Sequence, residues 1–239
     1  MMKLRTLGRE LYAWLIVIGA VLVLRAVFVE AYVIPTGSME QTFLVGDALL
    51  VNRFIYGVKI PVPFSGRQVP IIPGGVPQPG DIVVFKYPYE NKDFVKRCVA
   101  VAGDTVRIIN KILYVNNVRM DEPYTVFGDV HTYVQPAYDT ALYQQLWEDA
   151  RLADLFGNHV RDNFGPVIVP PYHIFVMGDN RDNSMDSRFW GPLHERYLKG
   201  KPLFIYFSFD PGAEASNFLD IFKVWQWKSV RFMRIGKVM

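Results

Sequence analysis

A chain of 239 residues with 51% hydrophobic and 21% charged residues has ample apolar content for a packed core, which excludes global disorder. Its formal net charge of +3 is too small and diffuse for a nucleic-acid footprint and is better matched to anionic lipid, so no nucleic-acid partner is expected. The single cysteine, Cys98, excludes an intrachain disulfide and reads as a small buried apolar residue.

The chain opens with Lys3, Arg5 and Arg9, followed by the apolar run Leu11 to Val29, interrupted only by Arg25. At about 1.5 Å per helical residue the run nearly crosses the roughly 30 Å hydrocarbon core of a bilayer. Arg25 lies about one turn from its far end and can snorkel to the interface. Because basic flanks stay inside, we expect residues 1–10 to be cytoplasmic, 11–30 to be a single transmembrane helix and 31–239 to be extracytoplasmic. Three other readings compete: a cleaved signal peptide ending near Val29-Glu30-Ala31, a buried helix of a soluble protein, and a span that serves only as an anchor, which is compatible with catalysis beyond it.

From Pro35 onward the pattern changes to short β-branched or aromatic runs punctuated by Gly, Pro and Asn. Strands are expected over Ala48 to Ile55, Asp81 to Phe85, Phe94 to Ala102, Thr105 to Ile109, Ile112 to Val115, His173 to Met177 and Pro202 to Phe209. Asn116-Asn117 reads as the turn of a hairpin returning through Val118-Arg119. Val58 to Pro79, dense in Pro and Gly, reads as a loop or extended arm. Thr140 to Phe156 reads as a short amphipathic helix with apolar residues at Leu142, Leu146, Ala150 and Ala153, inside an insertion around 120–170. The aromatic stretch Phe218 to Trp227 fits either a membrane interface or an ordinary core element. The fold class is thus mainly β, beyond one N-terminal helix.

Three clusters carry chemistry. The first is Pro35-Thr36-Gly37-Ser38-Met39, shortly after the apolar run. The second runs from Asp93 through Phe94-Val95-Lys96-Arg97-Cys98-Val99-Ala100 to Gly103-Asp104, and the third from Gly178 through Asp179-Asn180-Arg181-Asp182-Asn183-Ser184-Met185-Asp186-Ser187-Arg188 to Gly191. On residues alone, the first also fits a plain turn, and the third a polar loop or a cation site without EF-hand spacing. In a strand, Phe94, Lys96, Cys98 and Ala100 share one face. A lysine among apolar neighbours is desolvated, which lowers its pKa and suits it to act as a general base. A lysine at a strand edge pointing to water fits the same pattern.

Taken together, the blocks IPTGSM, GDALLVNRFIYG, GDIVVFKYP, FVKRCVAVAGD, ILYVNN, GDNRDNSMDSRFWG and the terminal RIG, in that order behind an apolar span, resemble the bacterial type I signal peptidase family. The resemblance implies a membrane-anchored serine endopeptidase with an antiparallel β catalytic domain and an inserted subdomain, at the bacterial inner membrane, facing the periplasmic or extracytoplasmic side. It implies Ser38 as nucleophile and Lys96 as general base. The Ser38 N–H and the Thr36 hydroxyl are implied as the oxyanion hole, Ser184 as the serine that orients Lys96, and Asp186 with Arg188 as an ion pair bracing the loop. Tyr32, Ile34, Met39, Phe43 and Val95 fall where the family builds pockets for small side chains, and the expected cut follows Ala-x-Ala. The implied partners are precursor proteins carrying signal peptides, and membrane lipid. The chain departs from the family's usual Pro and Leu at Gln41 and Phe43, and from its usual Gly and Pro at Ala100 and Ala102. No cofactor or metal is expected: His131, His159, His173 and His194 are scattered without a ligand or Ser–His–Asp signature, and no phosphate loop appears. A peptidase dedicated to one pilin-like or secreted client, and a non-catalytic membrane scaffold, remain alternative readings.

Overall fold

A computed structural model describes residues 10, 12–19, 29–61, 68–134, 138–210 and 229–238. Residues 12–19 are helical, while 20–28 of the expected span and all of Phe218 to Trp227 lie outside the described residues. Among the described residues no helix is long and apolar enough to cross a membrane. One boundary is corrected. Val29 and Glu30, expected in the span, open strand β1 (Val29–Val33) and pair with Asn52 and Val51 of β2 (Asp47–Asn52). Their backbone groups find partners in a sheet, and a short apolar run alone does not separate that outcome from a helix end.

The main sheet is antiparallel, in the order β1-β2-β13-β5-β6-β11-β12, with β14 (Ser229–Val230) on β13. Its members are β5 (Ile82–Lys86), β6 (Asp93–Val101), β11 (His173–Met177), β12 (Leu193–His194) and the thirteen-residue β13 (Leu198–Asp210). β13 joins two halves, pairing β5 through Leu198 and Gly200 and β2 from Lys201 to Ser208. A second sheet, β10-β7-β8-β9, is built from β7 (Thr105–Ile109), β8 (Ile112–Val115), β9 (Val118–Arg119) and β10 (Phe164–Ile168). The β8–β9 turn is the expected one: Asn116 and Asn117 take φ of 52° and 63°, the positive values a two-residue hairpin turn of matching twist requires.

The segment expected as a loop from Val58 to Pro79 instead contains a two-stranded ribbon, β3 (Val58–Pro61) with β4 (Gln68–Ile72). Proline is tolerated there because neither strand lies in the middle of a sheet, so its missing N–H breaks no central ladder. The helix expected over Thr140 to Phe156 is two: α1 (Thr140–Glu148) and α2 (Leu152–Phe156), followed by α3 (His159–Asp162). Asp139 caps α1 by accepting from Leu142 N, and Ala150, at φ 57°, breaks the helix. Its buried stripe is Tyr143 and Trp147, four residues apart, whereas Leu142 is exposed.

Two apolar clusters fill the domain. The larger unites Val83, Phe85, Cys98, Phe175 and Val176 of the main sheet with Tyr143, Trp147, Leu152, Val160 and Phe164, so the insertion shares the core of the main sheet. Burial pushes the Cys98 thiol up to about 12, in keeping with an apolar role. The smaller cluster gathers Ile34, Met39, Phe43, Leu49, Val51, Ile82, Val84 and Ile205, with Tyr32 and Val95 against it. At the start of β6 alternation decides the division, Val95 facing the smaller cluster and Phe94 and Cys98 the larger; from the register shift against β11 onward, Val99, Ala100 and Val101 all join the larger cluster.

Candidate active site

Ser38 sits in the middle of a single 3-10 turn, Gly37–Met39, directly after β1. It is half-buried, between exposed Thr36 and buried Met39, so its hydroxyl reaches the surface on a fixed base. Lys96 projects from β6 and its Nζ lies 2.6 Å from Ser38 Oγ, bringing together two residues 58 apart in sequence. Thr36 Oγ1 lies 3.4 Å from the same Ser38 oxygen.

Lys96 is only 4% exposed. Burial pushes its ammonium down to about 8, opposed by the nearby Asp186 and Asp179 carboxylates and reinforced by Arg188. A lysine with this poise is neutral in roughly a tenth of molecules at about pH 7, a few hundredfold more than an ordinary lysine near 10.5 would be, and a neutral amine is chemically able to accept a hydroxyl hydrogen.

The loop Gly178–Gly191 forms the back wall. Asp186 is completely buried and accepts from Arg188 Nε and Nη2 at 2.8 Å each, and from Gly178 N at 3.0 Å. Arg188 spends its remaining donors on the Arg161 and Arg181 carbonyls at 2.7 and 2.8 Å. Burial would raise the Asp186 carboxyl, but Arg188 and the Gly178 N–H outweigh it and hold the group below its ordinary range. This is the bracing ion pair expected from sequence. Gly178 packs where no side chain fits: an added Cβ would lie 2.2 Å from Ser184 Oγ and 2.5 Å from Ser38 O. Ser184 differs from expectation. Its Oγ is buried without a hydrogen-bond partner, and no bond to Lys96 is made.

Several supports were not singled out by sequence. Arg97 grips Asp179 with two bonds of 2.8 and 2.6 Å, donates to Gly80 O, and stacks on Tyr124 at 3.8 Å. Thr42 donates to the same carboxylate at 2.6 Å. Asn180 ties the loop to the Gly37–Met39 turn, its N–H donating to Ser38 O at 3.1 Å and its side chain to Gly37 O at 3.2 Å. Arg181 pairs with Glu122 through two bonds, anchoring the loop to the start of the insertion. From the far end of the chain, Arg234 pairs with buried Asp47 and donates to Thr42 O, giving the terminal RIG block a bracing task. Asp179, Asn180 and Arg181 lay in a cluster noted from sequence, but their partners are 59 to 143 residues away and carry no local signal.

All five expected pocket residues lie together. Ile34, Met39 and Phe43 are buried in the smaller cluster, with Tyr32 and Val95 half-buried beside them. Gln41, where the family usually has Pro, takes φ of 73°, a value proline's ring forbids. The turn after Ser38 therefore excludes proline at this position by its backbone conformation.

A family model described as signal peptidase, peptidase S26, matches residues 7–207. A signal peptidase I of Pseudomonas aeruginosa is 38% identical over 84% of this chain and 72% of its own length. Another, of Aquifex aeolicus, is 33% identical over 84% of each, and one of Buchnera aphidicola is 31% identical over 91% of this chain and 77% of its own length. With a serine, a lysine of lowered pKa and this match along most of its length, the chain belongs to the signal peptidase family, peptidase S26, a family of serine endopeptidases.

Proposed function

We propose that this chain removes signal peptides from exported precursors as a signal peptidase I, with Ser38 as nucleophile and Lys96 as its general base. The observation that carries the reading is the 2.6 Å approach of Lys96 Nζ to Ser38 Oγ with the ammonium pushed down to about 8. The amine takes the Ser38 proton as Oγ attacks the scissile carbonyl. The oxyanion is held by the Ser38 N–H and the Thr36 hydroxyl, which starts 3.4 Å from Ser38 Oγ. Lys96 then protonates the leaving amine, and activates the water that releases the acyl group. The Ser184 hydroxyl, buried and unpartnered, is available to the ammonium formed on the way.

The substrate lies extended between two strand edges. β1 pairs only with β2, and residues 93–96 of β6 pair only with β5 among the described residues, because β11 joins β6 from Arg97 onward. Lys199 spans these edges, bonding Asp93 at 2.7 Å and lying 5.9 Å from the Tyr32 ring centre. Main-chain bonds hold the peptide, and pockets of Tyr32, Ile34, Met39, Phe43 and Val95 admit small side chains on alternate residues, giving cuts after Ala-x-Ala. Residues 11–28 anchor the enzyme in the inner membrane, with the N-terminus cytoplasmic. Ser38 lies nine residues past Val29, so at most roughly 30 Å of extended chain separates it from the span.

The test is cleavage of several unrelated precursors by the full chain in detergent or lipid. Wild type should process all of them, and Ser38→Ala and Lys96→Ala should each abolish processing, with the double variant little worse. Cleavage of one client alone would establish a dedicated peptidase. A Lys96→Ala enzyme retaining more than about a tenth of the wild-type rate would remove the lysine from the mechanism.

A further inference from the structure

Beside the dyad runs a row of aromatic rings that the cleavage chemistry leaves unused. Lys96 Nζ lies 5.5 Å from the ring centre of Phe94. Tyr87 stacks on Phe94 with centres 4.6 Å apart and planes 15° apart, and Tyr89 meets Tyr87 edge-on at 5.5 Å. The row is backed rather than loose: Trp190 lies 5.8 Å from Tyr87 and 5.9 Å from Phe85, and Phe85 lies 6.2 Å from Phe94. Tyr89 is 60% exposed although its hydroxyl donates to Trp190 O at 3.4 Å. Phe94 and Tyr87 are half-buried, so the row offers solvent a continuous apolar surface that starts at the general base.

We propose that Phe94, Tyr87 and Tyr89 form a ledge that binds the substrate side chains two and four residues before the cut, selecting aromatic or long aliphatic groups there. The proposal rests on the dyad reading above. Strand parity carries it. Val95 belongs to the smaller cluster with the pocket residues, and Phe94 to the opposite face of β6. An extended peptide beside residues 93–96 alternates its side chains in the same way. If its first and third residues before the cut face the small pockets, the second and fourth face the ledge. Val95 precedes Lys96, and Lys199 joins Asp93 to the Tyr32 ring, so both of these pocket residues lie on the Asp93 side of Lys96 and the half of the peptide before the cut runs along the rings. Same-face side chains are about 6.6–6.8 Å apart along a strand. Phe94, beside Lys96, therefore meets the second residue, and Tyr87 with Tyr89, one ring and two rings further out, meet the fourth. The middle residue of Ala-x-Ala is then read by the enzyme rather than ignored.

The experiment uses the full chain in detergent micelles and matched peptides carrying Ala-x-Ala, varied only at the second or the fourth residue before the cut among Gly, Asp, Leu and Phe. Wild type should prefer Leu and Phe over Asp at the fourth residue by roughly three- to tenfold in kcat/KM, mostly through KM. Tyr89→Ala and Tyr87→Ala should bring that ratio toward one, and Tyr89→Phe should restore it, since the ring and not the hydroxyl makes the contact. Equal kcat/KM across the wild-type series, or ratios unchanged in both Ala variants, would overturn the ledge. Ser38→Ala separates the two readings. An inactive Ser38→Ala together with ratios unmoved in Tyr87→Ala and Tyr89→Ala removes the ledge alone, and an active Ser38→Ala removes the dyad and the ledge with it.

Discussion

Replacing Lys96 by methionine tests the buried base through stability as well as rate. In the folded protein burial brings the lysine from an ordinary 10.5 to about 8. The unfolded chain therefore binds more protons than the folded one between those values, and stability rises with pH across that window. At about pH 7 the shift costs the wild type about 3 kcal/mol, shrinking to about 1 kcal/mol near pH 10. Methionine keeps much of the stem, carries no charge, and forfeits the 2.6 Å bond to Ser38. That bond offsets about 1 kcal/mol of the gain. Lys96→Met should thus be more stable than wild type by about 2 kcal/mol near pH 7 and about equal to it near pH 10. Reversible urea unfolding in nonionic detergent, followed by tryptophan fluorescence, measures the difference at each pH, and other titrating groups cancel between the two proteins. In parallel, wild-type kcat/KM should rise about tenfold per pH unit below the lysine's pKa and level off above about 8. A stability difference that is the same at both pH values, or a flat rate profile from about pH 6 to 9, would refute the argument that Lys96 pays for its neutrality through burial.

Three substitutions probe the supports. Gly178→Ala should keep the fold yet lower kcat by about a hundredfold or more, measured on a single precursor, because its Cβ would meet Ser184 Oγ at 2.2 Å and Ser38 O at 2.5 Å and displace the nucleophile. Asp186→Ala leaves the Arg188 guanidinium buried and uncompensated, and should cost about 3–5 kcal/mol in denaturant unfolding. At Gln41, held at φ 73°, Gln41→Gly should be neutral or stabilising by up to about 1 kcal/mol, whereas Gln41→Pro should lower the melting temperature despite being the family's usual residue.

What the sequence revealed depended on how local the cause was. Alternation along Phe94 to Ala102 was legible because burial on both faces of one strand is written in consecutive residues, and the Asn116-Asn117 turn because positive φ restricts residue type. The start of β1 was read as the end of a membrane span because VEAYV is apolar enough for either, and only its pairing with β2 decides. Of the apolar positions Leu142, Leu146, Ala150 and Ala153 expected on the helix, Leu146 and Ala153 pack against the core and Leu142 is exposed, whereas Tyr143 and Trp147 are the side chains that α1 buries fully. At the site, Ser38 and Lys96 came from the resemblance. The partners that hold them did not, since Arg97 meets Asp179 across 82 residues and Asp47 meets Arg234 across 187.

The Arg188–Asp186 and Arg97–Asp179 pairs also explain why a lysine so near two buried carboxylates is pushed down rather than held charged. Asp186 and Asp179 each pull the Lys96 ammonium up, and either could have captured it as an ion pair. Both carboxylates are already spent. Each oxygen of Asp186 receives an Arg188 side-chain donor, with Gly178 N and Arg188 N in addition. Asp179 receives two donors from Arg97 and one from Thr42. Among the described residues neither forms a salt bridge with Lys96. With its near carboxylates neutralised by arginines that cannot give up their charge, Lys96 is left with the cost of burial and one hydroxyl for company. The arginines thus do more than brace the loop. By occupying the acids they let the amine lose its proton at a lower pH, and the neutral amine is the form that the proposed transfer from the Ser38 hydroxyl requires.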